Sequence, residues 1–335
     1  MKHLLGVSWL YPLLLVACTW PSQLSVQPFT STCAMDEQIP AKQREAINRA
    51  ALEFVEDALG PDPAAAYPSF TAEAQQSISL AQHVSLSQNI IKPMGPFKDL
   101  HVVGSYLGEV KGGGKGQRVV CGTLSSPETW VAATIRPGPA EAHVLVEAQT
   151  INNTEVFVLW LGIEQGKWHV QYFQYGISAI VGKSASDFRA MASTEKQRQH
   201  NFNAFLLLAT ALQLTDRGPY FQLGIRPDIE KEFGEIKRPD FLVGNPPFTW
   251  KPKGNVPFKL LNVGLIGLGG KLYIQIDHEV APWSEDKEVD NLNKNVITAF
   301  AGAYPEYKDT FAGLIIKAHE RGSNRGFGTV DLNKN

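Results

Sequence analysis

The apolar positions of the chain follow two periods, and the change from one to the other predicts the order of its elements. From Ala41 to Leu59 apolar residues recur every three or four positions, which predicts an amphipathic helix that ends at Gly60-Pro61. A weaker helical pattern covers residues 71–89. The period then becomes two, as in strands, over the segments 100–111, 117–124, 129–136, 142–151, 155–163 and 167–175. Helices followed by an antiparallel meander predict an α+β domain over residues 41–182.

Two of these strands carry large aromatic residues, and their alternation predicts the face on which each side chain lies. The strand from Val156 to Ile163 is apolar on both faces, so we expect a second copy of the chain or the carboxy-terminal domain to cover its outer face. On the last strand, alternation predicts one inward face made of Trp168, Val170, Tyr172 and Gln174. His169 then belongs to the opposite face, as a polar surface or interface residue.

The first helix and the last hairpin carry a resemblance to known folds. The helix at 41–59 and the hairpin VFVLWLGIEQGKWHVQYFQYG at 156–176 resemble the nuclear-transport-factor-like and cystatin-like folds, in which helices pack into a curved sheet. The resemblance implies a cone between sheet and helices, which ketosteroid isomerase uses as a pocket with an acid as base and a hydrogen-bond donor. It makes Trp160, Trp168 and Tyr172 candidate ligand-binding residues, with core packing as the alternative. The nearby acids are Asp99, Glu109 and Glu147.

The second half of the chain is predicted to hold a helical connector and a smaller α+β domain. In the connector, 183–238, Ser186 can cap a helix over 187–214, and 225–236 forms a second, short helix. The carboxy-terminal domain, 239–335, opens on a proline-rich linker that runs to Pro257. Its pattern then predicts a ββαββ order with strands at 258–266 and 271–280, a helix at 288–304, and strands at 311–319 and 327–332.

The amino-terminal apolar run predicts a cleaved signal. The run from Leu4 to Ala17 is shorter than the roughly 20 residues of a membrane-spanning helix. Leu15-Val16-Ala17-Cys18 resembles the bacterial lipobox, which implies cleavage after Ala17 (signal peptide 1–17) and diacylation of Cys18. A secreted protein cut at an ordinary site and an uncleaved anchor are the alternatives. Residues 18–40, rich in Ser, Thr, Pro and Gln, are predicted to be a tether.

The cysteine count agrees with lipidation. The chain has three cysteines, so assigning Cys18 to lipid leaves Cys33 and Cys121 as a pair in a compartment where disulfides persist. We therefore predict a Cys33–Cys121 disulfide. Two unrelated buried thiols are the alternative, since spacing alone does not establish proximity.

Composition and motifs exclude several kinds of function. The formal net charge of −2 argues against nucleic-acid binding, which needs a basic face. The segments GEVKGGGKGQR and GLIGLGGK lack the glycine spacing of phosphate and dinucleotide loops, so no cofactor is expected. DHEV at 277–280 places its histidine and its acids on opposite strand faces, so no metal site is expected. Arg321 and Arg325, around a glycine-containing turn, are candidate anion-binding residues.

These observations lead to an expectation of location, with function left open. We expect a lipoprotein anchored in the bacterial cell envelope, and Thr19 after the cysteine implies the outer membrane, facing the periplasm, in a Gram-negative source. We expect it to bind a protein partner, a second copy of itself or a small ligand. An isomerase- or hydrolase-type enzyme that uses the cone is the alternative, and a purely structural envelope module is the third possibility.

Overall fold

The computed structural model describes residues 29–112, 115–242, 246–252 and 257–333. Cys18 and the predicted signal peptide therefore lie outside the described residues. The α-helices are α1 (Ala41–Leu59), α2 (Ala72–Ser77), α3 (Leu80–Leu86), α4 (Ala185–Gln197), α5 (Asn201–Leu214), α6 (Arg226–Glu235) and α7 (Asp286–Ala303). The strands of the first half are β1 (Phe29–Met35), β2 (Lys98–Gly112), β3 (Gln117–Gly122), β4 (Trp130–Ile135), β5 (Glu141–Gln149), β6 (Asn153–Glu164), β7 (Lys167–Ile180) and β8 (Lys183–Ser184). Those of the second half are β9 (Phe221–Leu223), β10 (Phe248–Trp250), β11 (Phe258–Leu268), β12 (Lys271–Val280), β13 (Gly313–Glu320) and β14 (Gly326–Leu332).

A curled antiparallel sheet wraps around α1 and confirms the predicted α+β class. Its order is β1-β2-β5-β6-β7-β8. Helix α1 buries the stripe that its period predicts, including Ile47, Ala51 and Phe54, against the concave face of the sheet. The weaker helical pattern at 71–89 forms two short helices, α2 and α3, which each begin at a side-chain cap, Thr71 and Ser79.

Part of the predicted tether is a strand. Residues 29–35 pair with β2 in antiparallel register, from Phe29 opposite Gly112 to Met35 opposite Tyr106. The tether prediction for 18–40 was therefore wrong from residue 29 onward. The apolar residues of FTSTCAM do not alternate, so the segment shows no strand period. It lies at the edge of the sheet, held by its backbone ladder and by one disulfide.

The predicted meander divides between two sheets. Strands β3 and β4 leave the curled sheet and pair with β9, from the connector, in a three-stranded sheet. This small sheet packs on the outer face of the curled sheet, where Val156 and Val158 meet Val119, Val131 and Phe221. The cover of the outer face is thus neither a second copy nor the carboxy-terminal domain, and the apolar outer face of β6 no longer calls for a homodimer.

The connector contains two long helices where the sequence predicted one. Helix α4 ends at Gln197, and Gln199 adopts a positive φ of 64° before α5 begins at Asn201. The cap of α4 is Ser184, two residues before the predicted one. Its side chain accepts a hydrogen bond from the backbone N–H of Asp187. Helix α5 is buried on almost all sides, so its apolar residues extend beyond a single stripe.

The carboxy-terminal sheet confirms the predicted ββαββ order and adds one short strand. Strand β10 lies in the predicted linker and pairs with β11, giving the order β10-β11-β12-β13-β14. Helix α7 crosses over between the parallel strands β12 and β13. One continuous core joins this sheet to the connector, because Leu206 and Leu207 of α5 belong to the same buried cluster as Ile274 and Phe300.

Candidate functional site

The cone between α1 and the curled sheet is filled by aromatic rings. Phe54 meets Phe70 and Phe173 with ring centroids 5.1 and 5.3 Å apart, and Phe70 meets His83 at 5.3 Å. His83 is fully buried, and its Nε2 lies 3.0 Å from the carbonyl oxygen of Pro63. Burial lowers the pKa of His83, so the ring stays neutral among its aromatic neighbours. The centre of the cone is therefore part of the hydrophobic core that α1 shares with the curled sheet.

One acid and one tyrosine form a closed pair on the concave face. The Tyr175 hydroxyl donates to Oε2 of Glu155 at 2.8 Å, and burial raises the pKa of Glu155. Glu155 has no exposed surface, so a substrate cannot reach it. The alternation of β6 could have identified this acid, because Glu155 precedes Phe157 and Leu159 on the buried face.

The three acids considered from the sequence lie elsewhere. Asp99 is exposed, whereas Glu109 and Glu147 are partly buried. Glu109 forms an ion pair with Lys111, with Oε1 and Nζ 3.4 Å apart. The charge of Glu147 acts on the buried guanidinium of Arg217, whose pKa burial lowers to about 10. None of these three acids lines the filled cone.

The predicted inward face of the last strand is divided by a β-bulge. The pairing of β6 with β7 passes from Trp160–Tyr172 to Leu161–Val170, so Gln171 is the extra residue. Trp168 and Val170 therefore pack in the cone with α1, while Tyr172 lies on the outer face. The prediction that these residues share one face was wrong, because a bulge reverses the alternation that follows it.

Trp160 and Tyr172 meet on the outer face through a residue of the connector. The ring of Tyr220 lies 4.9 Å from each of their rings, and His143 stacks on Trp160 at 5.5 Å. Trp168 is on the other side of the sheet, so the three candidate ligand-binding residues do not form one site. Tyr220 has no signal in the sequence, since it lies in a loop before the three-residue strand β9.

A buried carboxylate anchors the outer face beside Trp160. Glu141 accepts four hydrogen bonds, from the backbone N and Nε of Arg136 at 2.8 Å and from Trp160 Nε1 and Gln171 Nε2 at 3.0 Å. A Cβ on Gly162 would lie 2.0 Å from Gln171 Nε2, so the glycine is what allows this amide to reach Glu141. The cavity over these groups measures about 210 Å³. Because all four donors are satisfied by Glu141, we interpret the group as a packing centre.

A larger, open cleft lies between α4 and α6, where the connector meets the turn between β3 and β4. It measures about 750 Å³, and we call it the α4–α6 cleft; its lining residues are Glu128, Ser186, Arg189, Ala190, Ser193, Lys196, Ile225, Asp228, Lys231, Glu232 and Glu235. Four of these residues are carboxylates and three are cations. Ile225 and Ala190 supply apolar surface. Ligand sites are common at such junctions between structural units, and their volumes fall in this range.

Four of the seven charged side chains in the α4–α6 cleft, those of Arg189, Asp228, Glu232 and Glu128, are held by hydrogen bonds. Arg189 donates from Nε and Nη2 to Oε1 of Glu232 at 2.9 and 2.7 Å, and from Nη2 to Asp228 at 3.3 Å. A hydrogen bond from the Ser126 hydroxyl lowers the pKa of Glu128, to which the charge of Arg189 also contributes, so this carboxylate is ionised at neutral pH. The sequence offered no motif for this cleft, because α4 and α6 approach each other only in the fold.

The two arginines of the last hairpin are bound by carboxylates. Arg321 Nε donates to Glu279 at 2.8 Å, and Arg325 Nη2 donates to Asp286 at 3.1 Å. Arg325 also lies over the ring of Trp283, 4.4 Å from its centroid. The hairpin thus fastens β14 to the start of α7, and both guanidinium groups of the predicted anion site already pair with carboxylates.

The Cys33–Cys121 disulfide is present and joins β1 of the curled sheet to β3 of the small sheet, with Cα atoms 5.2 Å apart. In the part of the chain that the structure describes, no group of three or more His, Cys, Asp or Glu residues could hold a metal ion. Within the same residues, no helix is both long and apolar enough to span a membrane. Comparison of the chain with protein-family models, with curated proteins and with solved structures finds no match.

Proposed function

We propose that this chain is a lipid-anchored protein of the bacterial cell envelope that binds a small polar ligand in the α4–α6 cleft. The observation that carries the binding role is the cleft itself, which combines ligand-sized volume, fixed charges and a position between two structural units. The envelope location is supported by the disulfide, since such bonds persist in oxidising compartments, and by the lipobox-like Leu15-Val16-Ala17-Cys18.

The chemistry of the cleft favours a ligand that carries both signs of charge. Lys196 and Lys231 make no ion pair among the described residues, so they offer donors to a carboxylate of the ligand. Glu128 and Glu235 offer acceptors to an ammonium group in the same space. A zwitterion such as a short peptide satisfies both kinds of group, whereas a strongly anionic or apolar molecule satisfies only part of the lining.

Binding has more support than catalysis in the cone. The acid and tyrosine that would serve an isomerase are Glu155 and Tyr175, and the acid is sealed from solvent. The cone centre beside them is filled by Phe54, Phe70 and Phe173. An isomerase or hydrolase would need a path from solvent to its catalytic base. The cone contains a suitable acid and tyrosine, but a substrate cannot reach them.

The binding role is tested by filling the cleft. Ser193 is exposed on α4 and lines the cleft, whereas its exposed neighbour Thr194 does not. We expect a panel of dipeptides and free amino acids at millimolar concentration to contain ligands that raise the melting temperature of the wild type. Ser193→Trp should weaken their binding at least tenfold in calorimetric titration, and Thr194→Trp should leave it unchanged. Equal affinity in both variants, or a panel without a binder, would contradict the proposal.

The anchor is tested separately on the mature amino terminus. We expect mass spectrometry of the membrane-extracted protein to find Cys18 as residue 1 with a diacylglycerol modification, and Cys18→Ser to move the protein to the soluble fraction. Thr19→Ser is the control and should stay in the membrane fraction. An unmodified Cys18 in membrane-bound protein would contradict the lipid anchor. The binding role of the cleft would not be affected, since the titrations test it separately.

A further inference from the structure

The point where the described chain begins lies at one end of the curled sheet. Phe29 is opposite Gly112 at the end of β2. The start of β5 at Glu141 and the β6–β7 turn at Glu164 and Lys167 lie at the same end of the sheet. We call this end the anchor pole. Strand β6 has 12 residues and separates this pole from the opposite end of the sheet by about 36 Å.

The carboxy-terminal domain lies against the opposite end of the same sheet. Gly267, in the β11–β12 hairpin, packs on Asn152, Ile180 and Val181. Asn153 and Ile180 are paired where β6 begins and β7 ends, which makes this the end farthest from Phe29. The molecule therefore has the start of its described chain at one pole and its carboxy-terminal sheet at the other.

The anchor pole presents basic side chains on either side of the connection between β2 and β3. Lys111, Lys115 and Arg118 are all exposed, and we call them the basic tip. Glu109, which pairs with Lys111 at 3.4 Å, offsets one of the three charges. Next along β3 from Arg118, on the same face of the strand, Val120 exposes 47 % of its surface. Basic groups beside exposed apolar surface suit the headgroup region of a membrane.

The length of chain before Phe29 keeps this pole close to any lipid on Cys18. From Cys18 to Phe29 is 11 residue steps, and an extended chain of that length spans at most about 40 Å. A folded protein of about 300 residues has a diameter of roughly 50 Å. An anchored chain therefore holds the basic tip within reach of the bilayer, while the carboxy-terminal domain lies a further β6 length away.

We propose that the basic tip contacts anionic phospholipid headgroups and orients the protein with its carboxy-terminal sheet away from the membrane. This inference rests on the lipid anchor of the proposed function. Each basic residue near an anionic membrane surface raises the ratio of membrane-contacting to non-contacting protein about fivefold. With two uncompensated charges, the contact should dominate for a chain that is already tethered, and salt should weaken it because the charges are exposed.

The test is the reactivity of individual lysines in the lipidated wild-type protein. We expect an amine-reactive ester, with mass spectrometry as the readout, to label Lys111 and Lys115 at least fivefold more slowly on phosphatidylglycerol vesicles than in detergent. Labelling of the exposed Lys271 and Lys317, in the carboxy-terminal sheet, should not change. The protection should be lost in 0.5 M salt and on phosphatidylcholine vesicles.

A pair of charge reversals provides the matched control. Lys115→Glu with Arg118→Glu should abolish the protection of the remaining Lys111, and Lys271→Glu with Lys317→Glu should preserve it. Anchored protein whose Lys111 and Lys115 label equally with and without anionic lipid overturns the inference alone. Absence of the lipid on Cys18 overturns the proposed anchor and this inference with it. Protection by heparin in detergent, with none on phosphatidylglycerol, would assign the tip to an acidic macromolecule instead.

Discussion

Glu141 shows how one buried carboxylate organises several side chains. It is 7 % exposed, and its four hydrogen bonds hold Arg136, Trp160 and Gln171 in one arrangement. Arg136 lies over the ring of Trp160, 5.2 Å from its centroid, so the charge and the aromatic face are positioned together. Neutralising Glu141 therefore disturbs three neighbours at once.

We expect Glu141→Gln to lower the free energy of unfolding by about 2–4 kcal/mol, because Arg136 loses its buried counter-charge and an amide cannot accept all four bonds. Glu73 is the matched control, since it accepts from Arg136 Nη1 at 2.6 Å while 74 % exposed. Glu73→Gln should cost less than about 1 kcal/mol. Urea denaturation of both variants measures the difference, and equal losses would show that Glu141 is an ordinary surface pair.

His143 makes stability depend on pH. Burial lowers its pKa to about 4, and its Nδ1 has no hydrogen-bond partner among the described residues, while Nε2 lies 2.9 Å from the Thr134 carbonyl oxygen. In the unfolded chain a histidine takes its proton near pH 6.5. Below that pH the unfolded state binds a proton that the folded state does not, so stability is lost as the pH falls from about 6.5 towards 4.

We expect this histidine to remove about 3 kcal/mol of stability over that interval. His143→Gln keeps a donor for Thr134 and cannot titrate, so its free energy of unfolding should fall less between pH 7 and pH 4.5. His101→Gln, the same substitution at an exposed histidine, is the control. Urea denaturation at the two pH values decides the matter, and parallel profiles for wild type and His143→Gln would refute the assignment.

At the scale of elements, the sequence predicted those whose period continues through the whole element. The stripe of α1 and the ββαββ order of the carboxy-terminal domain come from long regular patterns, and both are confirmed. The bulge at Gln171 could not be predicted, because an extra residue leaves the apolar pattern readable in either register. The bulge places Tyr172 on the opposite side of the sheet from the predicted one. It therefore separates Tyr172 from Trp168 and divides the predicted site.

Short strands and helix pairs account for the rest of what the sequence did not predict. Strand β9 has three residues, and its place beside β4 depends on pairing between residues 88 to 92 positions apart. Helices α4 and α6 form their cleft only when they pack together in the fold, so no local sequence motif predicts it. The Cys33–Cys121 pair was predictable because a chain with three cysteines offers only a few possible pairings, whereas charged surface residues carry no such restriction.

At the scale of the whole molecule, the connector belongs to two cores. Its helices share a core with the carboxy-terminal sheet, while Phe221 of β9 is buried in the core between the curled and small sheets. The ring of Phe221 lies 5.1 Å from Tyr106 and 5.6 Å from His143. A boundary at residue 182 therefore does not separate two independent cores.

This sharing predicts long-range effects of a connector mutation. We expect Phe221→Ala to lower stability by about 3–5 kcal/mol and to increase amide hydrogen exchange in β3 and β4, far from it in sequence. Phe233→Ala, in α6, removes a ring that packs on Phe205 at 5.2 Å and should leave exchange in β3 and β4 unchanged. Mass spectrometry of exchanging peptides gives the readout, and unaltered exchange in Phe221→Ala would mean that the two cores are independent.

The disulfide also determines how an anchored chain would carry mechanical load. Tension from a lipid on Cys18 would enter the fold at Phe29 and peel the β1–β2 ladder one residue pair at a time. Peeling stops at Cys33, after residues 29–32, because the covalent bond passes the force to Cys121 in the other sheet. The pull is then shared by the curled sheet and the small sheet, and β1 cannot be separated from the protein while the disulfide is intact.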